Sequence, residues 1–506
     1  MRSGKIRGIP SGATSGRDEE VGCRDRGPRP VQRNRLKPYP YQGFWCILPL
    51  PDRTLRSCHP SQGATAVVER FRPIRFSRAG VRGLQVSATL SINDRVKELW
   101  AAGQNVYHLA FGESRFPVHP KIADALCRNV QKRCYLPAAG IPELRKAIAE
   151  HYGRVFDLDV APDQVVTGPG SKSLIFATLQ CLGEEIIIPQ PSWVTYAPQV
   201  HLLGKPITWV PTYPESHYLV ETDALQVALQ ESHHDMGNPE VLILNNPGNP
   251  TGTMRSPEQN QPLADFCREQ ELMVISDEIY ARTAFTDIPF VSFGKYYPEG
   301  TVVMGGLSKD LSLGGWRFGV AVVPPTKGGR ALATALTNIA SNVWSCVAAP
   351  VQYAALVAYS GDSEVEEYVK LCARMHSIRT RYLYDLMVQL GVQCVEPSGA
   401  FYIFPCFDQW RDALHARGIH NDKELALHLL EKYEIAALPG SAFHAVRNFC
   451  LRISSSCIDL ATDDQADALV AAFRDDPDPK RFIRNHHPRL QKVAERFGEF
   501  IEELKR

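Results

Sequence analysis

From about residue 84 onward, short apolar runs alternate with longer amphipathic stretches. The short runs are Gln164 to Thr167, Glu185 to Ile188, Val241 to Leu244, Leu272 to Ser276, Val302 to Met304 and Val320 to Val323. Continuous apolar runs of this length suit strands buried on both faces. Between them, Leu174 to Leu182 and Pro262 to Glu271 place apolar side chains at helical spacing. Strands separated by helices predict βαβ units and a mostly parallel sheet, so the fold class is α/β. Residues 362–392 predict a long helix. Ala400 to Phe404 and Phe449 to Ser454 predict strands of a second α+β unit, and Leu490 to Lys505 predicts an amphipathic helix packed as an addition to the core.

The chain has 506 residues, 44% of them apolar, enough for two cores and too many for one. Its net charge of +1 calls for neither nucleic acid nor a membrane surface as partner. That balance is uneven. Residues 1–83 hold 17 Lys and Arg against 6 Asp and Glu, net +11, and the remainder holds 39 against 49, net −10. The 1–83 segment is rich in Arg, Pro, Gly and Ser without a sustained period, which predicts a disordered basic extension. Its Arg-rich character suggests an organelle transit peptide, although Asp18-Glu19-Glu20 and the Pro-broken stretch Phe44 to Pro51 depart from that pattern. The expected location is the cytoplasm, or a mitochondrion or plastid if the extension is a transit peptide. The thirteen cysteines form no C-x-x-C pair and read as reduced, mostly buried thiols. No apolar run is long enough to span a bilayer.

In an open α/β sheet, ligands bind beyond the carboxyl ends of the strands. Five predicted strands run into polar turns there: GPGSK at 168–172, Pro191-Ser192-Trp193, NNPGNPTG at 245–252, DEIY at 277–280, and Gly306-Leu307-Ser308-Lys309. Gly170, Ser171 and Lys172 open a helix and offer its N-terminus to an anion, although Ser171 before the lysine departs from a P-loop. Read singly, each residue has an ordinary alternative: a solvated lysine for Lys309, a helix cap for Asp277, a core ring for Tyr280 or Trp193, a turn-former for Asn249, an ion pair for Arg317.

Taken in order and spacing, NNPGNPTG, SDEIY and GLSKDLSLGGWRFG resemble the class I and II aminotransferases, the aspartate aminotransferase family of pyridoxal-phosphate fold type I. The resemblance extends from Ser87 through Gly112-Glu113, Tyr135 with Gly140, PSGAFYIFP at 397–405 and PGSAF at 439–443 to Arg452, about four-fifths of the chain. It implies a large domain with a mostly parallel seven-stranded sheet and a smaller α+β domain. The corresponding division is an N-terminal part of the small domain at 84–130, a cofactor-binding large domain at 131–350, the C-terminal small domain at 351–475 and a helical extension at 476–506.

The resemblance also implies pyridoxal 5'-phosphate as cofactor, carried by Lys309 as a Schiff base, with the freed amine as general base. Asp277 would pair with the ring nitrogen, Tyr280 and Asn249 would donate to the phenolic oxygen, and Trp193 would stack on the ring. Gly170, Ser171, Lys172 and Arg317 would hold the phosphate, and Ser308 would also contact the cofactor. Tyr135 would reach it from a partner subunit, which implies a homodimer with shared sites. Arg452 would take the substrate α-carboxylate in a two-pronged hydrogen bond, aided by Gly112, with Trp193 and Asn249 also facing substrate. In a subgroup of the family, a lysine at the position of Lys172 binds a distal carboxylate, which tilts the expected substrate toward aspartate, glutamate or a prephenate-type dicarboxylate.

Three positions depart from the family pattern: Gly306 where a phosphate-binding serine is frequent, Phe318 where a smaller aliphatic residue is usual, and a shortened loop at Leu182-Gly183-Glu184. The expected reaction is ping-pong exchange of an amino group between an L-amino acid and a 2-oxo acid. Its alternative on the same fold is a lyase, cleaving cysteine S-conjugates or forming a cyclopropane. A non-catalytic regulator is disfavoured, because nearly every cofactor position is filled and no helix-turn-helix precedes the domain.

Overall fold

Successive residues of the central strands point to opposite faces of one sheet, and both faces are covered by helices. A computed structural model describes residues 88–183, 185–231, 241–285 and 287–506. The expectations for residues 1–83 lie outside them. The strands in chain order are β1 Tyr107–His108, β2 Val165–Gly168, β3 Ile186–Gln190, β4 Ile207–Pro211, β5 Val241–Asn245, β6 Met273–Asp277, β7 Thr301–Gly306, β8 Gly319–Val322, β9 Tyr402–Ile403, β10 Ile435–Ala436, β11 Leu438–Pro439 and β12 Leu451–Ser454.

A seven-stranded sheet has the order β2-β8-β7-β6-β5-β3-β4. Strand β8 runs antiparallel to both β2 and β7, and the other pairs are parallel. On one face, Ile186, Ile188, Ile243, Ile275, Val302 and Met304 pack with Leu174, Ile175, Val200 and Leu336, from the helices Ser171–Cys181, Tyr196–Leu203 and Lys327–Val343. On the other face, Ile187, Val210, Leu242, Leu244 and Val274 meet Leu225, Leu229 and Leu263, from the helices Thr222–Glu231 and Pro257–Glu269. The period-2 alternation of the pleat thus feeds two separate cores from single apolar runs.

The six expected strands of this sheet are all present. The seventh, β4, was not read from the sequence. It lies at the sheet edge, carries Pro211 and buries few of its side chains, so it lacks the apolar run that marks the others. One expected helix starts too late. The segment anticipated from Pro262 begins at Pro257, where the Ser256 hydroxyl accepts from the Gln259 N–H and the Gln259 side chain accepts from the Ser256 N–H. Pro262 sits inside the helix, which continues across the one backbone bond a proline removes.

Strands β9, β11 and β12 form a three-stranded antiparallel sheet in the order β11-β12-β9, and β1 pairs with β10 in parallel. The long helix is Ser363–Gln389, capped by the Asp362 carboxylate. The terminal helix Pro488–Leu504 joins the core expected of it, through Leu490, Val493, Phe497 and Phe500 against Leu383, Phe407 and Tyr433. Ten cysteines are described, all as free thiols. Cys127 and Cys134 are exposed and five are buried, a more even division than the sequence suggested.

Replacement of Leu242, fully buried between β3 and β6, by alanine should lower unfolding stability by about 2–5 kcal/mol, measured by urea titration, through lost transfer energy and the cavity left behind.

Candidate functional site

The turns that follow β2, β3, β5, β6 and β7 meet at one cavity of about 500 Å³. Its lining includes Ser171, Lys172, Trp193, Asn249, Asp277, Tyr280, Ser308, Lys309 and Arg317, together with Gly112 and Arg452. Segments far apart in the chain therefore converge as expected, with two qualifications. Gly170 lies behind the lining, under Arg317. Tyr135 stands apart, 87% exposed on the surface.

Helix Ser171–Cys181 starts directly after Gly170, whose φ of 85° favours a residue without a side chain. A Cβ there would lie 2.3 Å from a terminal nitrogen of Arg317, so the guanidinium covers the turn only because the position is glycine. Arg317 donates to the Gly314 carbonyl at 2.7 Å. The Lys172 ammonium lies 5.0 Å over the Trp193 ring, and burial, then Arg317, lowers its pKa. No carboxylate among the described residues pairs with it. This end of the cavity combines two cations with the free N–H groups of a helix start, a setting for a multiply charged anion.

Asp277 is the last residue of β6 and is buried. The Tyr196 hydroxyl donates to its Oδ2 at 2.7 Å and the Ile279 N–H to its Oδ1 at 3.3 Å. Burial nevertheless raises the carboxyl to about 6, with Tyr196, Ile279 and Lys309 opposing that rise. A buried carboxylate held by neutral donors can keep a proton on a basic ring nitrogen placed against it. The Tyr280 hydroxyl lies 2.8 Å from that of Tyr402. Asn249 is fixed by its own N–H, which donates to Asn245 at 2.7 Å, while Asn245 donates to the Asp277 carbonyl at 2.8 Å.

Lys309 donates from Nζ to the Gly112 carbonyl at 2.7 Å. Burial, then the charge of Arg452, pushes this amine down to about 8, against the opposing charges of Glu113 and Asp277. Arg452 is 1% exposed. It donates to Asn249 Oδ1 at 3.1 Å and to the Ala110 carbonyl, and it lies over the rings of Tyr402 and Phe443 at 4.7 and 4.9 Å. Its Nε has no partner, and no carboxylate among the described residues faces it. A buried guanidinium so arranged is suited to an incoming carboxylate.

Three residues at this site were not singled out from sequence. Tyr196 supports Asp277, Tyr402 supports Tyr280 and Arg452, and Asn245 fixes Asn249. Tyr402 and Asn245 lie inside the runs PSGAFYIFP and NNPGNPTG, and Tyr196 lies three residues after Trp193, so proximity to the motifs was the available signal. Of the departures, Gly306 has a physical reason. A Cβ at this position would lie 2.7 Å from the Phe318 carbonyl, just before the paired strand β8, and a serine would not fit without a shift.

The cavity fits pyridoxal 5'-phosphate: a cationic helix start for the phosphate, a ring-sized wall at Trp193, a buried carboxylate for the ring nitrogen and a part-neutral lysine. Comparison with known proteins points to the same group. The family profile for aminotransferase class I and II matches residues 104–473. The chain is 34% identical to an aspartate aminotransferase of Geobacillus stearothermophilus over 391 residues, 76% of this chain and 95% of that protein. It is 31% identical to a probable aspartate/prephenate aminotransferase of Aquifex aeolicus over 373 residues, 72% of this chain and 91% of that protein. Among solved structures, the aspartate aminotransferase of Thermus thermophilus with maleate is similar at a TM-score of 0.71 and 26% identity, covering 84% of this chain and 100% of that one. The chain thus belongs to the class I and II aminotransferases, enzymes of fold type I that use pyridoxal 5'-phosphate.

Proposed function

We propose that this aminotransferase exchanges the amino group of an acidic L-amino acid, of aspartate or glutamate type, with a 2-oxo acid, prephenate-type acceptors included. The observation that carries the substrate choice is Lys172. Its ammonium faces the same cavity as Arg452, and neither cation is neutralised by a carboxylate among the described residues. A substrate with two carboxylates would satisfy both. Relatives named for aspartate and for aspartate/prephenate, and a Thermus thermophilus relative solved with the dicarboxylate maleate, support the reading. Those names do not favour the lyase alternative.

The cofactor supplies an electron-accepting ring that stabilises the negative charge left when the substrate α-C–H bond breaks. In this proposal Asp277 keeps the ring nitrogen protonated, and Tyr196 keeps Asp277 in place. Tyr280 and Asn249 donate to the phenolic oxygen, Trp193 covers the ring, Gly170, Ser171 and Arg317 hold the phosphate, and Ser308 also contacts the cofactor. Lys309 is the attachment point and afterwards takes the proton from the substrate α-carbon. With its pKa near 8, roughly a tenth of the amine is uncharged at pH 7. Arg452, assisted by the Gly112 backbone, orients the α-carboxylate. The large domain is taken as 131–350 and the small domain as 84–130 with 351–475. Supporting this division, the seven-stranded sheet lies between Val165 and Val322, and the three-stranded sheet between Tyr402 and Ser454.

The exposure of Tyr135 supports its contribution to the site of a second copy. Mixing Tyr135→Ala, impaired alone, with Lys309→Ala should then raise activity above that of either variant through hybrid dimers with one intact site. No recovery after subunit exchange would count against shared sites.

Lys309→Ala should reduce turnover by at least about 10²-fold and remove the absorption band that depends on the bond between Lys309 and the cofactor, while leaving far-UV circular dichroism unchanged. Turnover at the parent rate would overturn the assignment. Because only the neutral amine reacts, capture of cofactor by cofactor-free protein should quicken as pH rises through about 8 and then level off, followed by stopped-flow absorbance. Lys172→Gln should raise KM for acidic amino acids by about tenfold and leave that for alanine nearly unchanged. An equal rise for both substrates would assign Lys172 to the phosphate instead.

A further inference from the structure

The carbonyl that receives the Lys309 ammonium belongs to Gly112, in an irregular stretch between β1 and the helix Pro120–Asn129. Irregular backbone holds an acceptor in place only if other contacts fix it. One side of the stretch is fixed from the residues after β12: Ser456 Oγ donates to the Phe111 carbonyl at 3.1 Å, and Cys457 Sγ to the Glu113 carbonyl at 3.3 Å. The other side is fixed by two hydroxyls: Tyr368 donates to the Pro117 carbonyl at 2.6 Å, and Ser114 acts nearer the acceptor. Ser114 Oγ lies 2.6 Å from Ser312 Oγ and 3.0 Å from His376 Nε2. Ser312 is three residues after Lys309 in the same loop, and His376 lies in the helix Ser363–Gln389. One oxygen therefore ties the lysine loop, the stretch bearing the lysine's acceptor, and the longest helix together.

The surroundings suit a fixed link. Ser114 is 2% exposed and His376 fully buried, its ring packed between Phe116 at 4.7 Å and Phe401 at 4.8 Å. The Lys309 ammonium lies 5.9 Å over the other ring neighbour, Phe401. Burial, then Arg379 and Lys309, keeps the imidazole uncharged. His376 Nδ1 has no partner. A proton on Nε2 leaves there an unpaired acceptor, the less costly choice, since an unpaired buried N–H is rarer in folded proteins. Nε2 then donates to Ser114, and Ser114 donates to Ser312.

We propose that Ser114, Ser312 and His376 form a positioning cluster that holds the Gly112 carbonyl against Nζ of Lys309 and so sets how readily that amine carries a proton. The proposal rests on Lys309 being the reacting amine. None of the three side chains touches substrate or cofactor in it. Their effect is indirect: a carbonyl accepting from an ammonium favours the charged form, and loosening it leaves the repulsion of Arg452 and the desolvation of the site less opposed. Asp277 faces Lys309 from β6, outside the cluster, whereas Glu113 lies on the stretch that the cluster holds, so its charge acts on Lys309 together with the Gly112 carbonyl.

The test titrates Lys309 directly in cofactor-free protein, by the pH dependence of reductive methylation at that residue, quantified by peptide mass spectrometry, with thermal melting recorded alongside. Ser114→Ala should lower the midpoint by about half a pH unit, a roughly threefold change in the protonation constant. Ser312→Ala, at a half-buried position, should do the same and serves if Ser114→Ala fails to fold. His376→Leu should follow them, whereas His376→Gln, which retains a donor, should stay near the parent midpoint. Variants that melt earlier with an unmoved Lys309 midpoint would reduce the cluster to a packing role and overturn the proposal. Parent-level turnover by Lys309→Ala would instead refute the role of the lysine itself, so the two failures are separable.

Discussion

A guanidinium buried with only neutral oxygens and aromatic rings around it is expensive, and the convergence of three distant stretches of chain on Arg452 answers that cost. The residue sits on β12, takes the Ala110 carbonyl beyond β1, and takes the Asn249 side chain from the turn after β5. Tyr402 and Phe443 supply ring faces. Lysine would be a poor substitute, because an ammonium in such a place readily gives up its proton, whereas a guanidinium stays charged. The small antiparallel sheet is thereby registered against the turn that leaves the large one, and the cavity between them acquires its wall.

Burial is the first cause of every resolved shift at the centre of this cavity, and its sign depends on the group. It pushes Lys309 and Lys172 down and Asp277 up, moving each toward the neutral form. What separates their behaviour is the company each keeps. Asp277 is supported by a tyrosine hydroxyl and a backbone N–H, and Lys309 by one carbonyl with Arg452 close enough to oppose its charge. The site is thus less a collection of reactive residues than a dry compartment in which small changes in hydrogen bonding move protons.

The sheet was readable because strands buried on both faces must be apolar throughout, as in Ile186 to Ile188 and Val241 to Leu244. Strand β4 escaped because an edge strand with Pro206 before it and Pro211 at its end carries no such run. The reactive positions were readable because they stand in turns dense in Gly, Pro and Asn, where an unusual residue is conspicuous. Tyr196 and Tyr402 were not, since a tyrosine near a helix start or in a short strand has the same local signature whether it packs or supports a carboxylate. Ser114 and His376 lie 262 residues apart, and no spacing pattern records a contact made only by the folded chain. The departure at Gly306 has its reason in the folded chain and not in the local sequence. The fold places the carbonyl of Phe318 where a side chain at 306 would go.

The missing side chain of Gly112 extends this logic to evolution. A Cβ at 112 would sit 2.0 Å from the Tyr402 hydroxyl, the group that also bonds Tyr280 and belongs to the ring lying over Arg452. No substitution at 112 can therefore be sampled alone without displacing a ring that two other residues lean on. A side chain at 112 thus goes with a smaller or displaced residue at 402, which couples the two positions.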